Sequence, residues 1–252
     1  MALITSTAQG DFIVLENDSL GRALIKDKEY EPHFLQTVRK IVGTGDLVID
    51  CGSNLGYHTV TLAGLVGSGG KVIAFEPQRY VFQQLCGNVF LNDLQNVITY
   101  NMAVGDMVKI INIANIDYDL ELINTGATRV GEGNGNVRMT TLDRVLEEIG
   151  LRNTPVKFIK ADIQGCEALM LDGAVSLIER YKPFMFIEIE EHYLVHFNMD
   201  GDRLRKKVID MGYIMVQIMN SYPTDHIAIP IENEQMIADI VEGLDCPYQV
   251  YR

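Results

Sequence analysis

At 252 residues, with 47% hydrophobic and 22% charged residues, the chain has the composition of a soluble globular protein and length for a substantial core. Its formal charge of −13 argues against nucleic acid or an anionic membrane surface as partner, since both are held by Lys and Arg. Four scattered cysteines (Cys51, Cys86, Cys166, Cys246) lack Cys-x-x-Cys spacing, which speaks against a zinc knot or disulfide scaffold and for a reducing cytoplasm.

The first ten residues hold no basic region and no long apolar core, so no signal peptide is expected. No apolar stretch reaches the length of a membrane span. Residues 1–45 read as an N-terminal extension, a strand or hairpin and a helix packed on the core, and 46–252 as the main domain. From residue 46 onward apolar runs alternate with helical patterns, the mark of a parallel sheet with crossover helices. Strands are predicted at 46–51, 71–76, 98–104, 156–162 and 183–189. Helical spacing covers 55–66 and 78–91, where Val81, Phe82, Leu85 and Val89 recur on one face. Thr140 to Ile149 reads as a strand end passing into a helix, with Thr140 and Asp143 as a capping box. Further helices are predicted over 167–181, interrupted near Asp172-Gly173, and over 201–211, closed by Gly212. The pattern then changes. Tyr213–Met219 and His226–Ile229 are strand-like runs joined by Asn-Ser-Tyr-Pro-Thr-Asp, an antiparallel hairpin. Segment 106–139 is an insertion with a short strand at 108–113. Its polar, glycine-bearing stretch over 115–136 reads as a lid or acceptor wall over the active edge, less ordered than the sheet.

Residues 47–58, Leu-Val-Ile-Asp-Cys-Gly-Ser-Asn-Leu-Gly-Tyr-His, carry the chemistry. An apolar strand ends in Asp50 and a glycine-bearing loop, and a second apolar run ends in Glu76, 26 positions later. This is a βαβ unit with its ligand loop at the first strand's C-terminal end, where open α/β sheets bind nucleotides. Gly52 and Gly56 are separated by three residues and Asn54 stands near the middle glycine of the dinucleotide fingerprint, so a pyrophosphate is disfavoured. Two carboxylates and no Lys or Arg in the loop suit a ligand with a ribose and a cationic group. S-adenosylmethionine (SAM) meets those demands.

The chain also resembles the FkbM family of methyltransferases from about residue 29 to 230. The resemblance rests on Tyr30-Glu31-Pro32, Gly45-Asp46 through Tyr57, Ala74-Phe-Glu-Pro77, Asn88, Asn92 and Asn96-Val97. It continues through Ala103-Val-Gly-Asp106, Thr141-Leu-Asp143, Phe158-Ile-Lys-Ala-Asp-Ile-Gln-Gly-Cys-Glu167 and Gly173-Ala174. Gln164 departs from it, standing where the family usually has an acid; Cys51 replaces a common Val or Ile. The resemblance implies a class I methyltransferase fold: a Rossmann-like three-layer α/β sandwich with a mostly parallel seven-stranded sheet and a C-terminal antiparallel hairpin. It further implies SAM-dependent methylation of a hydroxyl on a sugar, glycan or related small molecule.

Candidate roles follow. Glu76 accepts both ribose hydroxyls; Pro77 follows it, and Ala103 meets the adenine. Asp50 and Gly52 line the methionine portion, and Asn54, Gly56, Tyr57 and His58 open a helix whose N-terminus faces the SAM carboxylate. Glu31, the acid implied by the resemblance, holds the α-amine. Asp162, at a strand end, also touches the cofactor. For the chemical step the candidates are Asp162, Glu188 and His192, since a hydroxyl needs a base to lose its proton. A divalent ion shared by the acids is the alternative, and metal-free chemistry is the expectation because only two acids are placed. His192 and His196 read as surface or core residues, not a metal pair.

Overall fold

The computed structural model describes residues 1–127, 130, 131, 133–220, 224–244 and 246–252. The chain opens with a hairpin, β1 (Ala2–Ser6) and β2 (Asp11–Leu15), then helices α1 (Ser19–Lys26) and α2 (Pro32–Val38). β3 (Leu47–Cys51), α3 (Tyr57–Val66), β4 (Lys71–Phe75), α4 (Arg79–Leu91) and β5 (Val97–Tyr100) follow. A separate small sheet of β6 (Ala103–Val104), β7 (Lys109–Ile113) and β8 (Gly135–Thr140) breaks the alternation. It resumes with α5 (Leu142–Glu148), β9 (Val156–Ala161), α6 (Glu167–Asp172), α7 (Val175–Tyr181), β10 (Phe184–Glu188), α8 (Glu191–Leu194) and α9 (Gly201–Asp210). β11 (Tyr213–Ile218), β12 (Asp225–Pro230), α10 (Ile237–Val241) and β13 (Tyr248–Tyr251) close the chain.

The main sheet has the order β13-β11-β12-β10-β9-β3-β4-β5. Its five strands from β10 to β5 are parallel, and β12, β11 and β13 pair antiparallel. It is thus a mixed, eight-stranded sheet and not the seven-stranded one expected. The additional edge strand β13 is a four-residue Tyr-Gln-Val-Tyr run, too short to stand out by periodicity. The predicted strand 98–104 also divides between the two sheets. Asn101 Nδ2 donates to the Glu76 and Pro77 carbonyls at 2.9 and 3.0 Å and ends the β4–β5 ladder.

Two apolar cores cover the two faces. One packs β3, β9 and β10 against α5, α6, α7 and α9; the other packs Val48, Val72, Phe158 and Phe186 against α2, α3 and α10. β3 is buried at every position, which is why its run reads as continuous and not alternating. The N-terminal hairpin docks on α4: Asn88 Oδ1 accepts from Ile13 N–H at 2.7 Å and Asn92 Oδ1 from Asp11 N–H at 2.9 Å. Thr141, not Thr140, caps α5, because Thr140 is committed to β8; Asp143 instead accepts from Ser176 and Leu177 at the start of α7.

The predicted lid is pinned where it meets the core. Ile123 exchanges backbone bonds with Asn17 and Ser19, and Asp18 Oδ1 accepts from Thr125 N–H and Oγ1 at 3.0 and 2.9 Å. Ile123 and Thr125 are each 5% exposed, so residues 123–127 are a fixed wall and not a free flap. Thr128, Arg129 and Glu132 of that stretch, and Ser221, Tyr222 and Pro223 of the predicted hairpin turn, lie outside the described residues. No helix among the described residues is long and apolar enough to cross a membrane. The four cysteines are free thiols.

Candidate active site

The C-terminal ends of the parallel strands open into two adjoining cavities. A narrow slot of about 50 Å³ lies over β4 and β6, lined by Phe75, Glu76, Pro77, Met102, Ala103 and Cys166, among others. A larger chamber of about 640 Å³ lies over β9, β10 and the start of α2, with Tyr30, Glu31, His33, Lys160, Glu188 and Asp225 in its wall. Gly52, Asn54, Gly126, Asp162 and Gln164 line both.

Of the residues singled out from sequence, Glu76, Pro77 and Ala103 line the slot. Glu31, Tyr57, His58 and Glu188 line the chamber. Gly52, Asn54 and Asp162 stand between the two. Asp50, Gly56 and His192 line neither. Asp50 lies within β3, not past its end, and is fully buried; it accepts from Thr59 Oγ1 at 2.6 Å and ion-pairs with Lys160 Nζ at 3.7 Å. Gly56 precedes α3 at φ +97°, and an added Cβ would come within 2.7 Å of Leu85 Cδ1, so it serves the turn and the packing of α4. The His192 side chain is 60% exposed and meets Glu190 Oε1 at 3.1 Å, because α8 turns that face outward.

Gly52 is required by a close approach. At φ +81°, its added Cβ would sit 1.8 Å from the Asp162 carbonyl oxygen, so only glycine lets the loop pass the end of β9. Glu31, Asn54 and Gln164, all wall residues, also adopt left-handed backbone, with φ of 44°, 49° and 53°. Such strained positions gather at ligand sites.

The Glu76 carboxylate accepts from Asn54 N–H at 2.9 Å and Gln78 N–H at 2.8 Å. Burial outweighs these bonds and pushes its pKa to about 7. Each carboxylate oxygen keeps a lone pair for a further donor.

The chamber is organised by Lys160, which the sequence reading passed over. Its Nζ lies 3.2 Å from both Asp162 Oδ2 and the Gly52 carbonyl. Burial opposes the ammonium charge, but Asp162, Asp50 and Glu31 outweigh it and hold the lysine above its ordinary range. Burial pushes Asp162 up in turn, yet the Lys160 charge and bonds from Glu188, Lys160 and Gln164 leave it below the usual carboxylate value. Burial and then the Asp162 charge push Glu188 well above its own. The negative charge of this pair is therefore favoured on Asp162 over Glu188. Gln164 Nε2 bridges them at 3.0 Å to each.

Glu31 is raised to about 7 by burial and by Asp225 and Asp162. His58, stacked on Phe34 with ring centres 4.1 Å apart, is held well below its ordinary value by burial and Lys160; its Nε2 lies 3.5 Å from Glu31 Oε2 and makes no hydrogen bond among the described residues. His33 and Asp225, also unforeseen, meet at 2.6 Å. The signal for Lys160 was present, since a lysine inside a buried apolar strand must be paired. Nothing local marked the His33–Asp225 pair, whose members are 192 positions apart.

The model of the methyltransferase FkbM domain matches residues 50–215, well over half of the chain. No curated protein matches the sequence. Among solved structures the chain is similar to methyltransferase FkbM from Methylobacillus flagellatus KT, at 18% identity and a TM-score of 0.50, over 73% of this chain and 43% of that one. It thus spans less than half the length of that relative, and the likeness supports a methyltransferase-type α/β fold. More loosely, it is similar to M. jannaschii TYW2 in complex with AdoMet, at 15% identity and a TM-score of 0.46, over 90% and 83% of the two chains. Aeropyrum pernix fibrillarin with natively bound S-adenosyl-L-methionine gives 15% and 0.43, over 90% and 81%. By its sequence match across the strand–loop–helix unit and the strands that carry the cavities, the chain belongs to the FkbM methyltransferase family.

Proposed function

We propose that this protein is a SAM-dependent O-methyltransferase acting on a hydroxyl of a sugar, glycan or related natural product. One observation carries the reading: a slot with the Glu76 carboxylate on its wall opens past Gly52 and Asn54 into a chamber rich in carboxyl groups. In this reading the ribose hydroxyls donate to Glu76, and Pro77, Met102, Ala103 and Ile163 flank the adenine. The methionine carboxylate faces the N-terminus of α3, whose cap Gly56 offers no side-chain hydrogen bond in competition. Glu31, whose Oε2 lies 3.5 Å from His58 Nε2, takes the α-ammonium. The sulfonium lies toward Asp162. When bound, SAM supplies an electrophilic methyl group, and the protein's part is to position and deprotonate the acceptor.

The acceptor then occupies the side of the chamber formed by Glu188, Glu190, Tyr193 and Asp225. Carboxylates accept hydrogen bonds from hydroxyls and repel phosphates, which favours an uncharged polyol over a nucleic acid. The free thiols fit a cytoplasmic setting.

Calorimetry with SAM and with NAD tests the cofactor: SAM should bind and NAD should not, and the reverse would overturn the reading. Transfer of labelled methyl groups to free and polymer-linked sugars tests the acceptor class. Methylation of amines but not hydroxyls would replace it with N-methyl transfer, and tight SAM binding without any transfer would leave a binding module.

A further inference from the structure

The O-methyl reading requires a group that removes the acceptor's proton, and neither strand-end acid suits the task. Asp162 is tied to Lys160 and Gln164, and Glu188 accepts from Gln164 Nε2. His33 is placed differently. It sits in the first turn of α2, turned into the chamber wall behind left-handed Glu31 and Pro32. Its Nε2 lies 2.6 Å from Asp225 Oδ2, and the two side chains are only 15% and 11% exposed. The ring stacks on Phe186 at 6.1 Å between centres and 27° between planes, which fixes its orientation. Asp225 is held in turn by the pairing of β12 with β10, where it stands opposite Glu188. The contact to a carboxylate selects the Nε2–H form of the neutral ring and leaves Nδ1 as the lone-pair site. Nδ1 has no hydrogen-bond partner among the described residues.

We propose that His33, oriented by Asp225, is the general base that takes the acceptor hydroxyl's proton. The inference rests on the O-methyl transfer reading. As the acceptor oxygen bonds to the methyl carbon, the methyl–sulfur bond breaks and its electron pair stays on sulfur. The hydroxyl proton passes to His33 Nδ1, Asp225 offsets the imidazolium charge, and the proton then leaves to water. Asp225 on β12 and Glu31 at the α2 cap act on the ring directly, and the other titratable groups lining the chamber are Glu188 on β10, Lys160 on β9, Asp162 just past it, Glu190 ahead of α8 and His58 on α3. Burial opposes protonation of the ring, but the hydrogen bond and charge of Asp225, with Glu31, raise it above the ordinary histidine value.

Two measurements test this. In ¹⁵N-histidine NMR of the cofactor-free protein, His33 should show the Nε2–H form at pH 8 and titrate above about 6.5. Asp225→Asn should lower that midpoint by at least about half a pH unit. A proton on Nδ1 in the neutral ring would overturn the proposal whatever the acceptor. In methyl transfer to a panel of methyl hexopyranosides, His33→Asn and His33→Gln should lower kcat about 10²–10⁴-fold with SAM affinity within threefold. Both should erase the acid limb of the pH profile, and Asp225→Asn should move it to lower pH. Undiminished kcat in both His33 variants would remove His33 alone. Failure of wild type to bind SAM, or transfer only to amine probes, would remove the O-methyl reading and this inference with it.

Discussion

Replacing Glu76 by Gln should lower SAM affinity while removing the loss of stability that the cofactor-free protein suffers as pH rises. The carboxylate already holds Asn54 N–H and Gln78 N–H through its two oxygens. Gln keeps the shape but turns one acceptor into a donor, so at least one charge-assisted bond to the ribose is lost. That is worth roughly 1.5–3 kcal/mol, or about 10- to 150-fold in Kd. Glu76→Ala is the poorer test, because it strands two backbone donors and confounds binding with folding. The stability effect has a definite sign. Folding raises the Glu76 pKa from 4.5 to about 7, so the folded chain holds a proton there that the unfolded chain has released. The associated stability is complete below about 4.5 and is lost as pH rises through 7, roughly 3 kcal/mol in all. Gln does not titrate. Gln strands one of the two backbone donors, so E76Q starts less stable, but the stability difference from wild type should shift in its favour from pH 5 to 8 in urea unfolding, while calorimetry shows weakened SAM. Unchanged SAM affinity would refute the placement of the ribose on Glu76, and a stability gap flat with pH would refute the burial argument.

Gly52→Ala should abolish soluble expression or cost at least about 3 kcal/mol, since its Cβ meets the Asp162 carbonyl oxygen at 1.8 Å; a stable, soluble variant would contradict the close approach. Asp18→Ala strands the donors of Gly21 and Thr125, each costing roughly 1–3 kcal/mol. Amide exchange should then accelerate across residues 123–127, and unchanged protection there would show that this wall is held by other contacts. Activity should survive exhaustive EDTA dialysis, because the Lys160 ammonium and the Gln164 amide occupy the positions a cation would take beside Asp162; loss on dialysis with recovery on Mg²⁺ would reverse this. Lys160→Met should raise the Asp162 pKa by removing its principal counter-charge and should depress SAM-dependent turnover. A carboxyl titration unmoved in ¹³C NMR would refute that coupling.

Much of the architecture was written in local patterns. Continuous apolar runs gave β3, β4, β9 and β10, and Gly173 marked the break between α6 and α7. β13 and the split of 98–104 escaped because they depend on which strand edge is vacant and on the Asn101 side chain, neither a matter of periodicity. The strand–loop pattern singled out Gly52, Asn54 and Glu76, which line the cavities. Asp50 lies inside the predicted strand and meets Thr59 and Lys160, because successive strand residues point to opposite faces of the sheet. His192 carries a suitable side chain but is 60% exposed, while His33 and Lys160 have partners that only the fold assembles.

The structure of this protein with S-adenosylhomocysteine bound tests the central claim most directly. The account predicts the ribose hydroxyls within hydrogen-bond distance of Glu76, the adenine between Pro77, Met102 and Ala103, and the thioether facing the chamber beside Asp162. The slot should be wider than in the cofactor-free chain. A ligand bound elsewhere, or bound here with its ribose away from Glu76, would contradict it.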